Sequence, residues 1–365
     1  MAEQAKKRDG VLDLFKILAT FCIIMHHYQQ LTGAHWDGLN FWEDTHFYFG
    51  YLVELFFLIS GIVIAPEIEK IRNGKSLGAF FGRRYLRFLP VVALSVITYE
   101  VLLLVFQSNT GAAFGGAELN WGGTLAAALS LQVWVFPNPM INNPVWYISA
   151  LLLCYLIFYY LVKLSERLKI VKTEQLFVFM VLLGCAAVTY GYELPLLNQS
   201  AGRAYYAFFA GILLKQLMEV WKGKSRYIVS GIIFAGGTLA LIFCPQITQA
   251  GVVNWYGTNL VLVYLYYPAM LLLFDNPLFV SLFSRSGTAF FAKISTGAFI
   301  WHHVIHTGFL MSMILGGQFY DTSAPVIIGL VLCADYLVGI ISYCIIGKLF
   351  AHISDKIFYK ADKAG

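Results

Sequence analysis

Charged side chains are scarce in this chain of 365 residues, because Asp, Glu, Lys and Arg together make up only 12% of it. Soluble globular domains contain about 25% charged residues, so the composition excludes an ordinary soluble domain. Hydrophobic residues instead account for 59% of the chain and aromatic residues for 16%. A segment that spans a bilayer must form hydrogen bonds with all of its own backbone N–H and C=O groups, and a single apolar run does so as a helix. The sequence therefore predicts an all-α polytopic membrane protein.

Several motifs that define common function classes are also missing. The six cysteines show no C-x-x-C spacing, so we expect neither a zinc site nor a disulfide framework. There is no Gly-rich phosphate loop, and we detect no internal repeat. The net charge of +5 is dispersed among loops rather than gathered into a patch, so we expect no nucleic-acid partner and no metal. The first apolar run is too long for a signal peptide, which predicts that it stays in the protein.

Ten apolar runs approach the roughly 20 residues that a transmembrane helix needs. They cover residues 11–31, 47–65, 85–106, 145–164, 175–192, 204–220, 227–244, 255–274, 294–314 and 325–350. With a cytoplasmic N-terminus, this arrangement puts 24 of the 25 Lys and Arg residues on the cytoplasmic side and leaves only Arg203 outside. We expect cytoplasmic tails at residues 1–10 and 351–365, joined by one membrane domain at residues 11–350.

This topology requires that the short apolar segment 124–136 does not cross the membrane. At 1.5 Å per residue it is about 20 Å long as a helix, and a Pro- and Asn-rich stretch follows it. We predict a re-entrant or interfacial segment. The two outer loops, 32–46 and 107–121, combine Trp, Asn and carboxylates without Lys or Arg. They suit a polyhydroxylated ligand, with an aromatic belt at the membrane interface as the alternative.

The first apolar run carries four ionisable residues, Asp13, Lys16, His26 and His27. At about 100° per residue, residues eleven apart lie about 20° from each other, so Lys16 and His27 share a helix face that Asp13 joins. Ionisable groups in a membrane mark function by default. The alternatives are that Lys16 extends to the lipid headgroups and that the histidines form hydrogen bonds in the core without a catalytic role.

Glu54 lies in the second run, about 10 Å from its outer end, at a depth similar to that of His27. A carboxylate that holds one imidazole nitrogen leaves the other nitrogen as a base. We therefore predict that Glu54 pairs with His27. The alternative is a protonated Glu54 that ties two helices together.

A basic stretch, R-R-Y-L-R at residues 83–87, opens the third run. Arg84 and Arg87 lie one helical turn apart, together with Arg83 at a helix start. Guanidinium groups in this arrangement suit bidentate contacts to phosphate. The alternative is lipid headgroup binding and topology.

Three histidines, His302, His303 and His306, follow one another in the ninth run. The spacing H-H-x-x-H permits a metal, but no carboxylate or cysteine lies nearby in sequence to complete a site. Asp335 in the last run is the carboxylate closest to the membrane midplane, and one of these histidines is its expected partner.

Five segments in chain order carry a family resemblance. They are D-L-F-K followed by ten residues and His27, V-E-L-F-F-L-I-S-G (53–61), R-R-Y-L-R-F-L-P (83–90), G-R-A-Y-Y-A-F-F-A-G (202–211) and I-S-T-G-A-F-I-W-H-H (294–303). Over nearly the whole chain they resemble the acyltransferase-3 family of integral-membrane acyltransferases. Two departures are N-P-V-W-Y-I-S-A-L (143–151), where the family often has N-x-x-W-S-L-x-x-E, and Tyr206, which replaces a Glu.

The resemblance implies transfer of an acyl group, commonly acetyl, from cytoplasmic acyl-CoA (acetyl-CoA) to a hydroxyl of a sugar or other cell-envelope acceptor. It implies an enzyme of a bacterial inner membrane, in contact with membrane lipid. His27 would be the catalytic histidine and Lys16 its basic partner, and the arginines at the third run would bind the cofactor. We expect Trp146, Arg203, His302 and Asp335 at the acceptor site or cavity. The alternative function is a multi-pass transporter of a small anion or sugar.

Overall fold

The computed structural model describes residues 10–38, 40–42, 47–116, 120–135, 142–244, 255–284 and 286–363. The described part is helical apart from one short hairpin. The helices are α1 (Gly10–Thr32), α2 (Leu52–Ile64), α3 (Glu67–Arg72), α4 (Arg83–Thr110), α5 (Trp121–Ala128), α6 (Gln132–Val135), α7 (Trp146–Leu168), α8 (Thr173–Thr189), α9 (Gln199–Val220), α10 (Lys224–Phe243), α11 (Trp255–Val261), α12 (Tyr267–Phe274), α13 (Pro277–Phe283), α14 (Ser286–Gly316), α15 (Pro325–Ile341) and α16 (Lys348–Lys363). The hairpin pairs β1 (Glu193–Leu194) antiparallel with β2 (Leu197–Asn198), so that Glu193 faces Asn198.

Seven helices in the described ranges are long and apolar enough to cross a membrane. They cover Gly10–Thr32, Gly78–Thr110, Asn143–Leu168, Lys224–Phe243, Gly257–Phe274, Gly287–Gly316 and Pro325–Phe358. The predicted runs at 47–65 and 175–192 correspond to the shorter apolar helices Phe49–Ile64 and Thr173–Thr189. The run at 204–220 lies in α9, which is not among the seven. The predicted all-α, multi-pass membrane fold is therefore confirmed in its general form.

The segment predicted not to cross forms two short helices, α5 and α6. The eight residues of α5 are about 12 Å long, and Ser130, with φ 56°, separates α5 from α6. Other parts of the protein form hydrogen bonds with backbone carbonyl groups here. The Tyr85 hydroxyl donates to Leu129 O at 3.0 Å, and Leu196 N donates to Trp134 O at 3.1 Å. Such backbone is tolerated at membrane depth when protein surrounds it. The end of the predicted segment, from residue 136, lies outside the described residues.

Opposite ends of the bundle differ in their chemistry. At one end, here the basic end, Arg72 donates to Thr173 Oγ1 at 2.8 Å and Lys163 donates to Ile71 O at 2.8 Å. At the other, here the far end, the Tyr28 hydroxyl donates to Thr322 O at 2.7 Å and Trp36 Nε1 donates to Ser323 O at 2.9 Å. Residues 39, 43–46 and 117–119 of the two predicted outer loops, and residues 1–9 of the predicted N-terminal tail, lie outside the described residues.

Two glycines allow α2 and α9 to approach at backbone distance. A Cβ atom added to Gly211 would lie 2.0 Å from Leu58 O, and one added to Gly61 would lie 2.0 Å from Phe208 O. Small residues at helix contacts are typical of membrane bundles, in which van der Waals packing drives association. This contact fixes the height of α2 relative to α9, and therefore of Glu54 relative to Arg203.

Residues 351–363, predicted as part of a tail, are helical and belong to α16, which packs on the start of α4. The ring of Phe358 fills the space that side chains at Gly78 and Gly82 would occupy. Asp355 lies 3.9 Å from Arg83 Nε. The C-terminal helix thus contacts the same basic stretch that opens the third predicted run.

Candidate functional site

A polar cavity of ≈ 240 Å³ opens at the far end of the bundle. Helix α1 supplies four of its lining residues, α6 and α9 supply two each, and Trp146 is the first residue of α7. The lining residues are Ile23, His26, His27, Gln30, Tyr48, Gly50, Val53, Gln132, Val133, Asn143, Trp146, Ser200 and Arg203. Predicted site residues from three separate helices therefore meet at one cavity, whose lining is rich in hydrogen-bonding groups.

His27 is half-buried and has a defined tautomer. Its Nδ1 lies 2.9 Å from Gln30 Oε1, and because a carbonyl oxygen only accepts, Nδ1 carries the proton and donates it. Nε2 is left unprotonated and forms no hydrogen bond with the described residues. The His27 ring stacks on His302 with centroids 5.2 Å apart. These contacts leave one nitrogen of His27 with a lone pair, as a general base requires.

The predicted pairing of Glu54 with His27 is wrong. The fully buried Glu54 instead accepts from Arg203 Nε at 2.5 Å and Nη2 at 3.0 Å, and from the Tyr206 hydroxyl at 3.1 Å. A guanidinium fork matches a carboxylate in charge and geometry, which a neutral imidazole does not. The close approach of α2 and α9 favours this partner further. Gln30 therefore occupies the orienting position that the sequence assigned to Glu54.

Arg203 joins this ion pair to the cavity wall. Its guanidinium carbon lies 4.9 Å from the centroid of the Trp146 ring, and Arg203 Nη2 donates to Gly50 O at 3.3 Å. The predicted cavity residues Trp146 and Arg203 thus form one stacked unit in the wall of the site. Tyr206, the residue that departs from the motif in α9, contributes a hydrogen bond to the same carboxylate.

Behind His27 lies a buried group of histidines that ends at a carboxylate. His302 Nδ1 donates to Phe299 O at 2.7 Å, and its ring lies 5.5 Å from that of His306. His306 Nε2 lies 3.0 Å from Asp335 Oδ2, and both side chains are fully buried. The expected pairing of Asp335 with one of these histidines is confirmed. The described residues contain no group of His, Cys, Asp and Glu side chains that could hold a metal ion.

Two neighbouring cavities lie on the basic side of His27, apart from a cavity of ≈ 600 Å³ at Lys222. The larger of the two neighbours, of ≈ 460 Å³, is lined by Arg87, Lys293 and Lys348 among other residues. The smaller, of ≈ 140 Å³, is lined by Lys16 and Thr20 of α1. The two share Phe88 and Thr296 as lining residues, so they are neighbours. Lys16 and His27 therefore line successive cavities along one helix, about 16 Å apart in rise, while Asp13 is buried near the start of α1.

The three arginines of the basic stretch have different environments. Arg84 donates to Phe80 O at 2.5 Å, and its guanidinium lies over the Phe80 ring at 4.3 Å and 3.8 Å from Glu67. Burial opposes the ionisation of Glu67, but hydrogen bonds from Lys75 and Lys70 and the nearby Arg84 lower the pKa of its carboxyl below the ordinary value. Arg83 faces Asp355. Only Arg87 of the three lines the cavity of ≈ 460 Å³.

Three aromatic rings separate the cavities of the two ends. Phe56, Tyr147 and Phe299 all line the Lys16 cavity, and their ring centroids lie 5.6 to 5.9 Å from one another. Val53 and Trp146, which line the far-end cavity, lie on the same helices as Phe56 and Tyr147. We call the three rings the aromatic septum. Phe56 lies one helical turn from Val53 and Tyr147 lies next to Trp146, so the septum lies between the Lys16 cavity and the far-end cavity.

A comparison of the sequence with protein families tests the resemblance that the motifs suggested. A profile described as an acyltransferase domain matches residues 9–344, nearly the whole chain. The chain belongs to the acyltransferase-3 family. Neither the curated proteins nor the solved structures provide a match. As a member of this family, the chain is a membrane acyltransferase in the general sense.

The motifs shared with the acyltransferase-3 family did not indicate every residue of the site. Gln30 lies three residues after His27, and this i, i+3 spacing on α1 was the available signal for their hydrogen bond. Asn259, whose Nδ2 lies 3.4 Å from Glu54 Oε1, lies in α11, and no local pattern points to it. Lys293 precedes the fifth matched motif directly, and only its position at a cavity reveals it.

Proposed function

We propose that this acyltransferase moves an acyl group, acetyl in the simplest case, from cytoplasmic acyl-CoA to a hydroxyl group of a sugar or other cell-envelope acceptor. His27 is the general base. The observation that carries the proposal is the tautomer of His27, whose Nδ1 is bound to Gln30 while the ring lines a polar cavity. Activation of a hydroxyl near neutral pH needs an unprotonated imidazole nitrogen at such a place.

The proposed reaction needs one base and one acyl donor. His27 Nε2 takes the proton of the acceptor hydroxyl as its oxygen attacks the thioester carbonyl carbon. The resulting tetrahedral intermediate collapses, the C–S bond breaks, and the imidazolium returns the proton to the departing CoA thiolate. His302 stacks on His27 and keeps the ring in place. The reacting carbonyl must pass the aromatic septum to reach His27, so the septum has to open when acyl-CoA binds.

The donor would enter from the basic end. The many Lys and Arg residues of this end indicate that it faces the cytoplasm. The proposed topology has ten membrane crossings, a re-entrant segment at α5 and α6, and both termini in the cytoplasm. Arg87 is the arginine best placed to contact the phosphates of CoA, because it lines the ≈ 460 Å³ cavity. Arg83 and Arg84 support the wall of this site through Asp355, Phe80 and Glu67. The pantetheine arm would follow α1 past Lys16 and Asp13 towards His27.

The acceptor would bind in the far-end cavity. Trp146 and Arg203 offer a stacked, cationic wall, and Gln132, Asn143 and Ser200 offer hydrogen-bonding groups to hydroxyls. A polyhydroxylated acceptor such as a sugar fits this lining better than an acyl chain does. Asp335 and His306 lie behind His302 and outside the lining of the cavity, so their part is to hold the histidines.

Cavities at both ends with a septum between them are also what a transporter of a small anion or sugar would have. A covalent product separates the two functions. [¹⁴C]acetyl-CoA and an envelope extract would be added to purified protein in proteoliposomes. The radioactivity that alkali releases from the extract would then be counted as a measure of ester-linked acetyl groups. We expect transfer by the wild type and a loss of about 10²- to 10⁴-fold in His27→Ala. His26→Ala, on the neighbouring imidazole, should retain most of the activity. Uptake of solute without acyl transfer would favour the transporter.

A further inference from the structure

The basic-end cavity of ≈ 460 Å³ is lined by three cations from three separate helical segments. Arg87 comes from α4, Lys293 from α14 and Lys348 from the start of α16. Among the described residues that line this cavity, none is acidic. Neither lysine forms an ion pair with a carboxylate of the described residues. The cavity therefore concentrates positive charge that the described protein groups do not neutralise.

One aromatic ring holds both lysines. The Nζ atom of Lys293 lies 5.4 Å from the centroid of the Tyr343 ring, and that of Lys348 lies 5.5 Å from it. Cations at such distances are attracted to the ring face, by about 0.5–1 kcal/mol each at exposed sites. The ring thus offsets part of the repulsion between two ammonium groups and keeps both at the cavity.

The local backbone explains how Tyr343 and Lys348 come to share a face. In a regular α-helix, residues five apart lie about 140° from each other, on different faces. Residues Ser342–Gly347 instead form a π-helical turn, whose i→i+5 hydrogen bonds bring residues five apart together. Such turns occur frequently at functional sites. Without this turn, Lys348 would point away from Tyr343.

We infer that Lys293, Lys348 and Arg87, with Tyr343 as the positioning ring, form the anion site for the phosphate groups of the acyl donor. This inference rests on the proposed function, because it names the residues that would hold the phosphates of CoA. The remaining lining includes Phe88, Val91 and Ile300, an apolar surface that suits an adenine ring or the pantetheine arm. The cavity also adjoins the Lys16 cavity, with which it shares Phe88 and Thr296 as lining residues, and this is the direction that the thioester must take.

The test is a binding measurement on the full-length protein in detergent. CoA and 3′-dephospho-CoA would be titrated into the wild type, Lys293→Gln, Lys348→Gln and the double variant. Each single change removes one charge-assisted contact and should weaken CoA binding about 10-fold, with a smaller loss for dephospho-CoA at whichever lysine contacts the 3′-phosphate. In turnover, KM for acetyl-CoA should rise while kcat changes little. Tyr343→Leu should weaken CoA binding, and Tyr343→Phe, which keeps the ring, should restore it.

The matched control is Lys222→Gln, which removes a basic-end lysine from a different cavity, lined also by Arg226 and Asp275. It should bind CoA as the wild type does. CoA binding unchanged in the double variant, with normal binding by the wild type, would overturn the inference and leave the proposed function intact. A wild type that binds no CoA would overturn both. Phosphatidylglycerol vesicles form the last arm: if they, and not CoA, lose affinity in the double variant, the site binds a lipid headgroup and the inference is wrong.

Discussion

At the scale of single residues, the hydrogen bond between His27 and Gln30 determines which imidazole nitrogen is available as a base. Gln30→Leu keeps the size of the side chain and removes the acceptor, so His27 can adopt the wrong tautomer. We expect kcat for acyl transfer to fall about 10- to 100-fold, the cost that is usual for partners that orient a functional histidine, with KM for acetyl-CoA unchanged. Gln30→Glu, which keeps an acceptor, should retain more activity than Gln30→Leu. Equal activity in the wild type and Gln30→Leu would remove Gln30 from the mechanism.

The pair formed by Glu54 and Arg203 has a different role at this scale. Glu54→Gln leaves the guanidinium without its buried counter-charge, and breaking a buried pair typically costs about 3–5 kcal/mol. We expect a clear drop in Tm in detergent. The double variant Glu54→Gln with Arg203→Gln should lose less than the sum of the two single variants, because the pair is then removed as a unit. Additive losses would mean that the two side chains do not depend on each other.

The sequence predicted some of these residues and missed others for physical reasons. Helical spacing placed Lys16 and His27 on one face. Because an unpaired carboxylate inside a membrane is costly, a histidine was the expected partner of Asp335. The similar depth of Glu54 and His27 in the membrane favoured them as partners. Depth does not determine how each helix is rotated about its axis, and this rotation decides which side chains face each other. Arg203, the one basic residue assigned to the outer side, was available as the stronger partner, and only the packing of α2 against α9 revealed it.

At the scale of elements, the contact between α2 and α9 depends on glycine. Gly211→Ala would place a methyl group 2.0 Å from Leu58 O, a distance that forces the two helices apart. We expect a loss of Tm and of acyl transfer together, because the separation also stretches the bond between Glu54 and Arg203. Gly236→Ala on α10, where an added Cβ has no neighbour within 4 Å, is the control and should be neutral or slightly stabilising. A neutral Gly211→Ala would contradict the packing described.

Element boundaries were largely readable from apolar runs, while local irregularities were not. The ten runs coincide with helical segments of the described chain, and the described part of 124–136 forms two short helices, as its short length suggested. The π-helical turn at Ser342–Gly347 and the packing of α16 on Gly78 and Gly82 left no periodic signal. The packing of α16 depends on contacts between segments that are distant in sequence.

At the scale of the whole molecule, the aromatic septum lies between the Lys16 cavity and the far-end cavity. Phe299→Ala would join the Lys16 cavity to the far-end cavity and admit water to the thioester. We expect acetyl-CoA hydrolysis without acceptor to rise several-fold, measured as free thiol, while transfer to an envelope extract falls. Phe291→Ala, which truncates an exposed ring on the same helix, is the matched control. Unchanged hydrolysis in Phe299→Ala would mean that the septum does not separate donor from water.

We propose that acyl-CoA binds at the basic end, in the cytoplasm, and that transfer at His27 delivers the acyl group towards the opposite side of the membrane. The most direct measurement uses membrane vesicles of both orientations that carry the wild type or His27→Ala, supplied externally with membrane-impermeant [¹⁴C]acetyl-CoA. We predict alkali-labile label in the envelope material of inverted vesicles that carry the wild type, and none in right-side-out vesicles or with His27→Ala. Equal labelling in both orientations, or labelling that persists with His27→Ala, would contradict the account.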